Sequence, residues 1–172
     1  MRNVALLRGI NVGGRTMPMV DLRSCFVELG LRDVETVMQT GNVVFTSDEP
    51  VSSLKWLIEV GLRQNFNFSV RVQVYEMATL REIVDMSPFD NADADRHSYV
   101  VFFEDGLEQE LFALTTNLDK EIDQVELGNG VLYWSVPKGS TLHSGFAKYL
   151  TTSRYRQSHT NRNIRTLRKI VG

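Results

Sequence analysis

The sequence predicts an α+β fold, a ferredoxin-like β-α-β-β-α-β subdomain followed by a second, incomplete ferredoxin-like subdomain. Three observations lead there. Through the first 76 residues, short apolar or alternating runs and helical-period stretches follow in the order strand, helix, strand, strand, helix, strand. Glycine-bearing turns, Thr40-Gly41-Asn42 and Gly128-Asn129-Gly130, mark a hairpin at the same place in each half. After residue 97 the layout returns as strand, helix, strand, strand, helix, without a closing strand. No residue-level repeat accompanies this return, so the likeness is one of pattern.

Asn3 to Leu7 reads as a buried strand. Pro18 to Leu29 reads as a helix with Val20, Leu22, Cys25, Phe26 and Leu29 on one stripe; Pro18 suits its first position and Gly30 the position past its end. Val34 to Gln39 and Val43 to Phe45 alternate as hairpin strands. Val51, Leu54, Leu57, Ile58, Leu62 and Phe66 recur at helical spacing, and Val70, Val72 and Val74 alternate with polar residues as a half-buried strand. Ala78 to Met86 is a short helix. Tyr99 to Phe103 is a strand, and Leu107, Leu111, Leu114 and Leu118 mark the next helix. Val125 to Leu127 and Val131 to Trp134 form the second hairpin, and Leu142 to Leu150 and Asn163 to Val171 are the last helices. The expected division is an N-terminal subdomain over residues 1–86, an acidic connector over 87–97 and a C-terminal α+β subdomain with a basic tail over 98–172.

Composition narrows the function classes. A 172-residue chain has room for one large domain or two small ones, and 42% apolar and 23% charged residues are ordinary for a globular protein. No apolar run approaches the ~18 residues of a membrane-spanning helix, and the first residues lack a signal-peptide pattern. A cytoplasmic location and no membrane partner are therefore expected. The lone Cys25 lies on an apolar stripe and reads as core. Net charge is −2, but unevenly spread: residues 1–75 carry eight basic and seven acidic groups, 76–126 three and fourteen, and 127–172 eight and none. An acidic middle with basic ends argues against wrapping nucleic acid with the whole surface and allows one positive face.

The stretch with the most chemistry is Arg8-Gly9-Ile10-Asn11-Val12-Gly13-Gly14-Arg15. It lies between a strand end and a helix start, where free backbone N–H groups favour anions. Gly9, Gly13 and Gly14 permit positive φ or close ligand approach, and Arg8 and Arg15 add permanently charged, forked donors. Neither G-x-x-x-x-G-K-[ST] nor G-x-G-x-x-G is present, so this is no familiar nucleotide loop. In a ferredoxin-like sheet the first and third strands are antiparallel neighbours, which places Gln39-Thr40-Gly41-Asn42 beside Arg8 to Gly14. Gln39 and Asn42 carry amides that suit a ligand's polar groups. They suit capping of the hairpin equally well.

The basic tail is the second constellation. Lys138, Lys148, Arg154, Arg156, Arg162, Arg165, Arg168 and Lys169 are interleaved with Tyr149, Tyr155, His143 and His159. Such interleaving serves phosphate binding and base stacking, or the arginines pair with the acidic middle. Arg162, Asn163 and Thr166, at helix-start spacing, either cap the last helix or complete an anion site with the glycine loop. Metal and hydrolase patterns are weak. Asn91, Asp93 and Asp95 alternate like calcium ligands, but Arg96 stands where that loop needs glycine. The histidines are scattered, and no G-x-S-x-G elbow occurs.

Four motifs resemble the bacterial family catalogued as domain of unknown function 1697: Arg8 to Gly14 as RGINVGG, Met19-x-x-Leu22-Arg23, Gln39 to Phe45 as QTGNVVF, and Thr160-x-Arg162-Asn163-x-x-Thr166. The resemblance spans nearly the whole chain and implies an α+β protein of two related subdomains with no established activity. The family's last motif often continues into tryptophan; here Ile164 occupies that position, so no stacking role follows there. Three functions remain in view. The first is binding of a small phosphate- or carboxylate-bearing ligand by Arg8, Asn11, Gly13, Gly14, Arg15, Gln39 and Asn42, with Arg162 and Asn163 as further candidates. The second is RNA or DNA binding through the basic tail, against which the strand Val4 to Leu7 lacks an aromatic platform. The third is a non-catalytic structural or interaction module. No catalytic set, metal or cofactor is indicated.

Overall fold

The computed structural model describes residues 1–89, 93–104 and 106–172. They divide into two compact units, Met1–Arg81 with Val171 and Glu82–Ile170 with Gly172. The first unit runs β1 (Arg2–Leu7), α1 (Met19–Glu28), β2 (Arg32–Val37), β3 (Asn42–Thr46), α2 (Val51–Phe66) and β4 (Val72–Glu76), and the boundary falls within α3 (Met77–Asp85). Beyond it come β5 (Arg96–Phe103), α4 (Leu107–Leu114), β6 (Gln124–Leu127), β7 (Val131–Pro137), α5 (Gly145–Thr151), β8 (His159–Asn163) and α6 (Ile164–Val171). Asn91, of the calcium-type alternation, and residues 90–92 of the expected connector lie outside the described residues.

Each unit carries one antiparallel four-stranded sheet, ordered β2-β3-β1-β4 and β6-β7-β5-β8. This is the ferredoxin-like order, with the first strand of each unit in the interior of its sheet. The helices pack on one face because alternate strand residues share it. In the first unit Ala5, Leu7, Val43, Phe45, Val72 and Val74 meet Leu22, Cys25 and Phe26 of α1 and Leu54, Ile58 and Leu62 of α2. Phe26 and Phe45 meet edge to face at 5.6 Å, the arrangement ring quadrupoles favour. Arg23 adds a polar staple, donating through Nε to the Val34 carbonyl at 2.9 Å. Val20 departs from its expected stripe and is 69% exposed. Two residues before Leu22 lies roughly 200° round the helix, and partly buried Met19 takes the inward position.

The second unit contains the closing strand that the sequence pattern omits. His159-Thr160-Asn161-Arg162-Asn163 holds no apolar residue, so hydrophobic periodicity is blind to it. It becomes a strand by pairing with β5, in register from Tyr99↔Asn163 to Phe103↔His159. The second ferredoxin-like subdomain is therefore complete rather than truncated. Its core joins Val101, Phe103, Leu132, Trp134 and Val136 of the sheet to Leu111, Phe146 and Leu150 of the helices. Buried Asp123 ties β7 to α5 by accepting from Trp134 Nε1 at 2.8 Å and from Phe146 N at 3.1 Å. A carboxylate in this position needs both bonds, because a buried acceptor without a partner costs about 1–3 kcal/mol.

Gly41, between β2 and β3, is a tight point of the first unit. Its φ is +75°, and a Cβ there would lie 2.7 Å from Ile10 Cδ1 and 3.0 Å from Leu7 Cβ. Gly41→Ala is expected to destabilise the protein by about 2 kcal/mol or more, from left-handed strain together with overpacking. Urea unfolding measures this; a loss under about 0.5 kcal/mol, the scale of an ordinary surface change, would contradict it.

Candidate functional site

The loop after β1 is a miniature hairpin. Asn11 N donates to Arg15 O at 2.8 Å and Arg15 N to Val12 O at 3.2 Å, with a bridge pairing Val12 and Arg15. Gly13 and Gly14 occupy the two central turn positions with φ of +59° and +81°, the signs a type I′ turn requires. Among the described residues their N–H groups meet no acceptor. Both amides stand at an exposed tip next to Arg15.

Asn11 fixes this hairpin in place. Its φ of +55° is one that asparagine tolerates better than most residues. Its side chain spans two directions, donating to Gln39 O at 3.3 Å and accepting from Met17 N at 2.7 Å just before α1. Leu7 N donates to Gly41 O at 2.8 Å and Arg8 N to Arg71 O at 2.9 Å, so the start of the loop is held from both neighbouring strands. The structure thus brings Asn11 against Gln39, with Arg8 at the end of β1. Arg15 extends over the Phe68 ring, 5.8 Å from guanidinium carbon to centroid.

Asn42 takes the other of its two possible parts. It is fully buried, and its Nδ2 donates to Val37 O at 3.0 Å and Thr40 Oγ1 at 2.9 Å. It shapes the turn that Gln39 stands on. Sequence reading passed over Met38, whose φ of +58° is unusual for a long side chain; no sequence pattern marks it.

Arg162 and Asn163 belong to the second unit. Arg162 is buried on β8, where its Nη1 donates to Thr160 Oγ1 and Asn161 O, both at 2.8 Å. Burial lowers its pKa to about 10, since a desolvated guanidinium loses hydration that favours its charge. Asn163 is the N-cap of α6, accepting from Arg165 N at 2.9 Å. The Thr160-x-Arg162-Asn163 motif is therefore the joint between β8 and α6. Elsewhere in the tail, Arg154 donates through two nitrogens to the Glu110 carboxylate, which also accepts from the Tyr155 hydroxyl. One pairing of basic tail with acidic middle thus exists. Arg156, Arg165, Arg168 and Lys169 are exposed.

Cys25 is buried and receives a 3.5 Å contact from Asn65 Nδ2. Burial, with Glu28 nearby, raises its thiol pKa, which suppresses the nucleophilic thiolate. Among the described residues no group of three or more His, Cys, Asp or Glu side chains is placed to hold a metal ion. None of their helices is long and apolar enough to cross a membrane.

A family model described as Protein of unknown function (DUF1697) matches residues 1–133. That span includes the glycine loop and the β2–β3 hairpin, ends within β7 and stops short of the β8–α6 joint. Among solved structures the chain is similar to a conserved bacterial protein, SP0830 from Streptococcus pneumoniae, at 26% identity and a TM-score of 0.81. The match covers 99% of this chain and 96% of that one, so both units are shared. No curated protein matches the sequence.

The Glu110 cluster carries a pH signature. Hydrogen bonds from Arg154 and then Tyr155 hold its pKa at about 2, below the ordinary value of about 4.3. A carboxylate depressed in the folded state stabilises above its unfolded pKa and loses that stabilisation as pH falls through the folded one. Between about pH 4.3 and 2, wild type should therefore lose more stability than Glu110→Gln. The difference is modest because the pair is solvent-screened. Carboxyl-resolved NMR titration checks the cause directly: a Glu110 midpoint near 4 would contradict the geometry.

Proposed function

We propose, for a chain that belongs to the DUF1697 family of proteins of unknown function, that the glycine hairpin binds a small phosphate- or carboxylate-bearing ligand. One observation carries this reading: the unpartnered Gly13 and Gly14 amides stand beside Arg15 on a hairpin that Asn11 holds rigid. Two adjacent N–H groups in a turn of successive positive-φ residues can form a shallow anion cradle. A flexible loop would lose the ordering entropy of its residues on binding, and a pre-ordered one has already lost it in folding.

The residues divide by part. Gly13, Gly14 and Arg15 contact the anion, Arg8 and the Gln39 amide bind the rest of the ligand, and Asn11 and Asn42 keep loop and turn in register. Arg15 neutralises charge with a forked donor suited to two oxygens at once. The Phe68 ring beneath its guanidinium limits the fork's freedom. No nucleophile or general base stands in the described part of this set, so the reading is of binding, with any chemistry supplied by the ligand. Arg162 and Asn163 are left out of it, because buried strand and helix-cap roles account for them.

Thermal shift with inorganic phosphate, sugar phosphates, small carboxylates and short RNA, at low and moderate salt, tests the reading. A native-state ligand at a hundred times its Kd stabilises by about 2.7 kcal/mol. One class of small anion should raise the midpoint, and Arg8→Ala and Arg15→Ala should each abolish the shift, the exposed Arg15→Ala while leaving the ligand-free stability within about 0.5 kcal/mol. No shift with any small anion would overturn the proposal. A shift with RNA alone, collapsing steeply with salt, would replace it by nucleic-acid binding.

A further inference from the structure

A second candidate site lies in the first unit, at the end of the sheet where β2 begins and β3 ends, opposite the end that carries the glycine hairpin. Leu29, Gly30, Leu31, Ser47, Glu49, Ser53, Trp56 and Leu57 line an open cavity of about 660 Å³, within the range of small-molecule sites. Trp56 is 68% exposed. Ser53, Trp56 and Leu57 stand three and four residues apart on α2 and so share one face. That face is not the buried stripe of Leu54, Ile58 and Leu62. The tryptophan contributes nothing to the core cluster of this unit.

The walls are built rather than incidental. Leu29 packs where Gly61 of α2 has no side chain; a Cβ at Gly61 would come within 2.7 Å of Leu29 Cδ2. Gly30, with φ of +83°, turns the chain sharply between α1 and β2, which sets Leu29 and Leu31 on the same cavity. On the opposite rim, Ser47 Oγ accepts from Glu49 N at 3.2 Å and holds the 47–49 turn. The result is an apolar floor, an indole and one polar edge.

Charge selects the ligand class. Glu49 is the one ionisable side chain in the lining, and among the described residues no cation pairs with it. Arg32 and the Met1 amine, at the adjoining strand ends, are both engaged by Asp48, at 2.7 and 3.7 Å. Among the charged side chains of the lining an anion would thus meet only Glu49. A cation would gain the Glu49 carboxylate and the indole face together, while an apolar stem would cover Leu29, Leu31 and Leu57.

We propose that this cavity binds an organic cation, an amine or guanidinium on a short alkyl stem, with the charge between Glu49 and Trp56 and the stem along the leucines. Ser47 and Ser53 supply hydroxyls to the remaining N–H groups. The site is independent of the anion site, and the two make opposite demands on ligand charge.

Isothermal titration with agmatine, which carries both a guanidinium and an amine on a four-carbon stem, tests it, with methyl α-glucoside and inorganic phosphate as comparisons. Agmatine should bind saturably, and Glu49→Gln and Trp56→Ala should each weaken it about tenfold. Both positions are exposed, so melting curves of the variants should overlay wild type. Arg15→Ala should leave agmatine binding unchanged, which separates this result from the fate of the anion site. Absence of saturable heat, equal binding of the glucoside through ring stacking on Trp56, or indifference to Glu49→Gln would each overturn the assignment.

Discussion

Antiparallel pairing of β1 with β3 is the constraint on which the first unit's candidate anion site depends. The register Leu6↔Asn42 brings the β2–β3 turn to the end of β1, and the Leu7 N to Gly41 O bond locks the two together. Only a residue without a Cβ fits between Ile10 and Leu7 at this point. Once the turn is seated, Asn11 reaches Gln39 O, and the glycine hairpin acquires a fixed orientation. A one-residue slip would send every β3 side chain to the opposite face, removing Val43 and Phe45 from the core and Gln39 from Asn11. Site geometry and core packing are thus enforced by one register.

The second unit repeats the strand order but is held by polar groups to a greater degree. Asp123 joins β7 to α5, Arg96 bonds Ser135 and the Glu121 and Ile122 carbonyls, and Arg162 lies buried along β8. Each such group costs desolvation energy unless its bonds are made. These bonds therefore specify one arrangement of loop and strand more sharply than an apolar contact would. Trp134 shows the combination: its ring packs on Phe146 at 5.1 Å while its N–H is consumed by Asp123.

Much of the fold was legible because its elements are amphipathic. The alternation of Val70, Val72 and Val74 and the helical spacing of Leu54, Ile58 and Leu62 report the face each side chain must bury, and those residues are buried. β8 was illegible because none of its five residues is apolar, and pairing rather than burial of apolar surface makes it a strand. The glycine loop was found by composition alone, but its form was not: nothing local announces that Asn11 bonds a carbonyl 28 residues away. Trp56 left a faint trace as an aromatic residue off its helix's apolar stripe. Its meaning needed the cavity around it.

By itself, the sequence determined where the helices and the strands other than β8 lie to within a few residues, and which glycines stand in turns. Periodicity, proline and positive-φ requirements are local, and local physics is written residue by residue. Tertiary structure alone decided that Asn42 is buried and shapes a turn, that Asn163 caps a helix, and that Glu49 and Trp56 face one cavity. Asparagine, glutamate and tryptophan each have several stable environments. Which one is occupied depends on neighbours delivered by strand register and helix packing, from parts of the chain no local pattern connects.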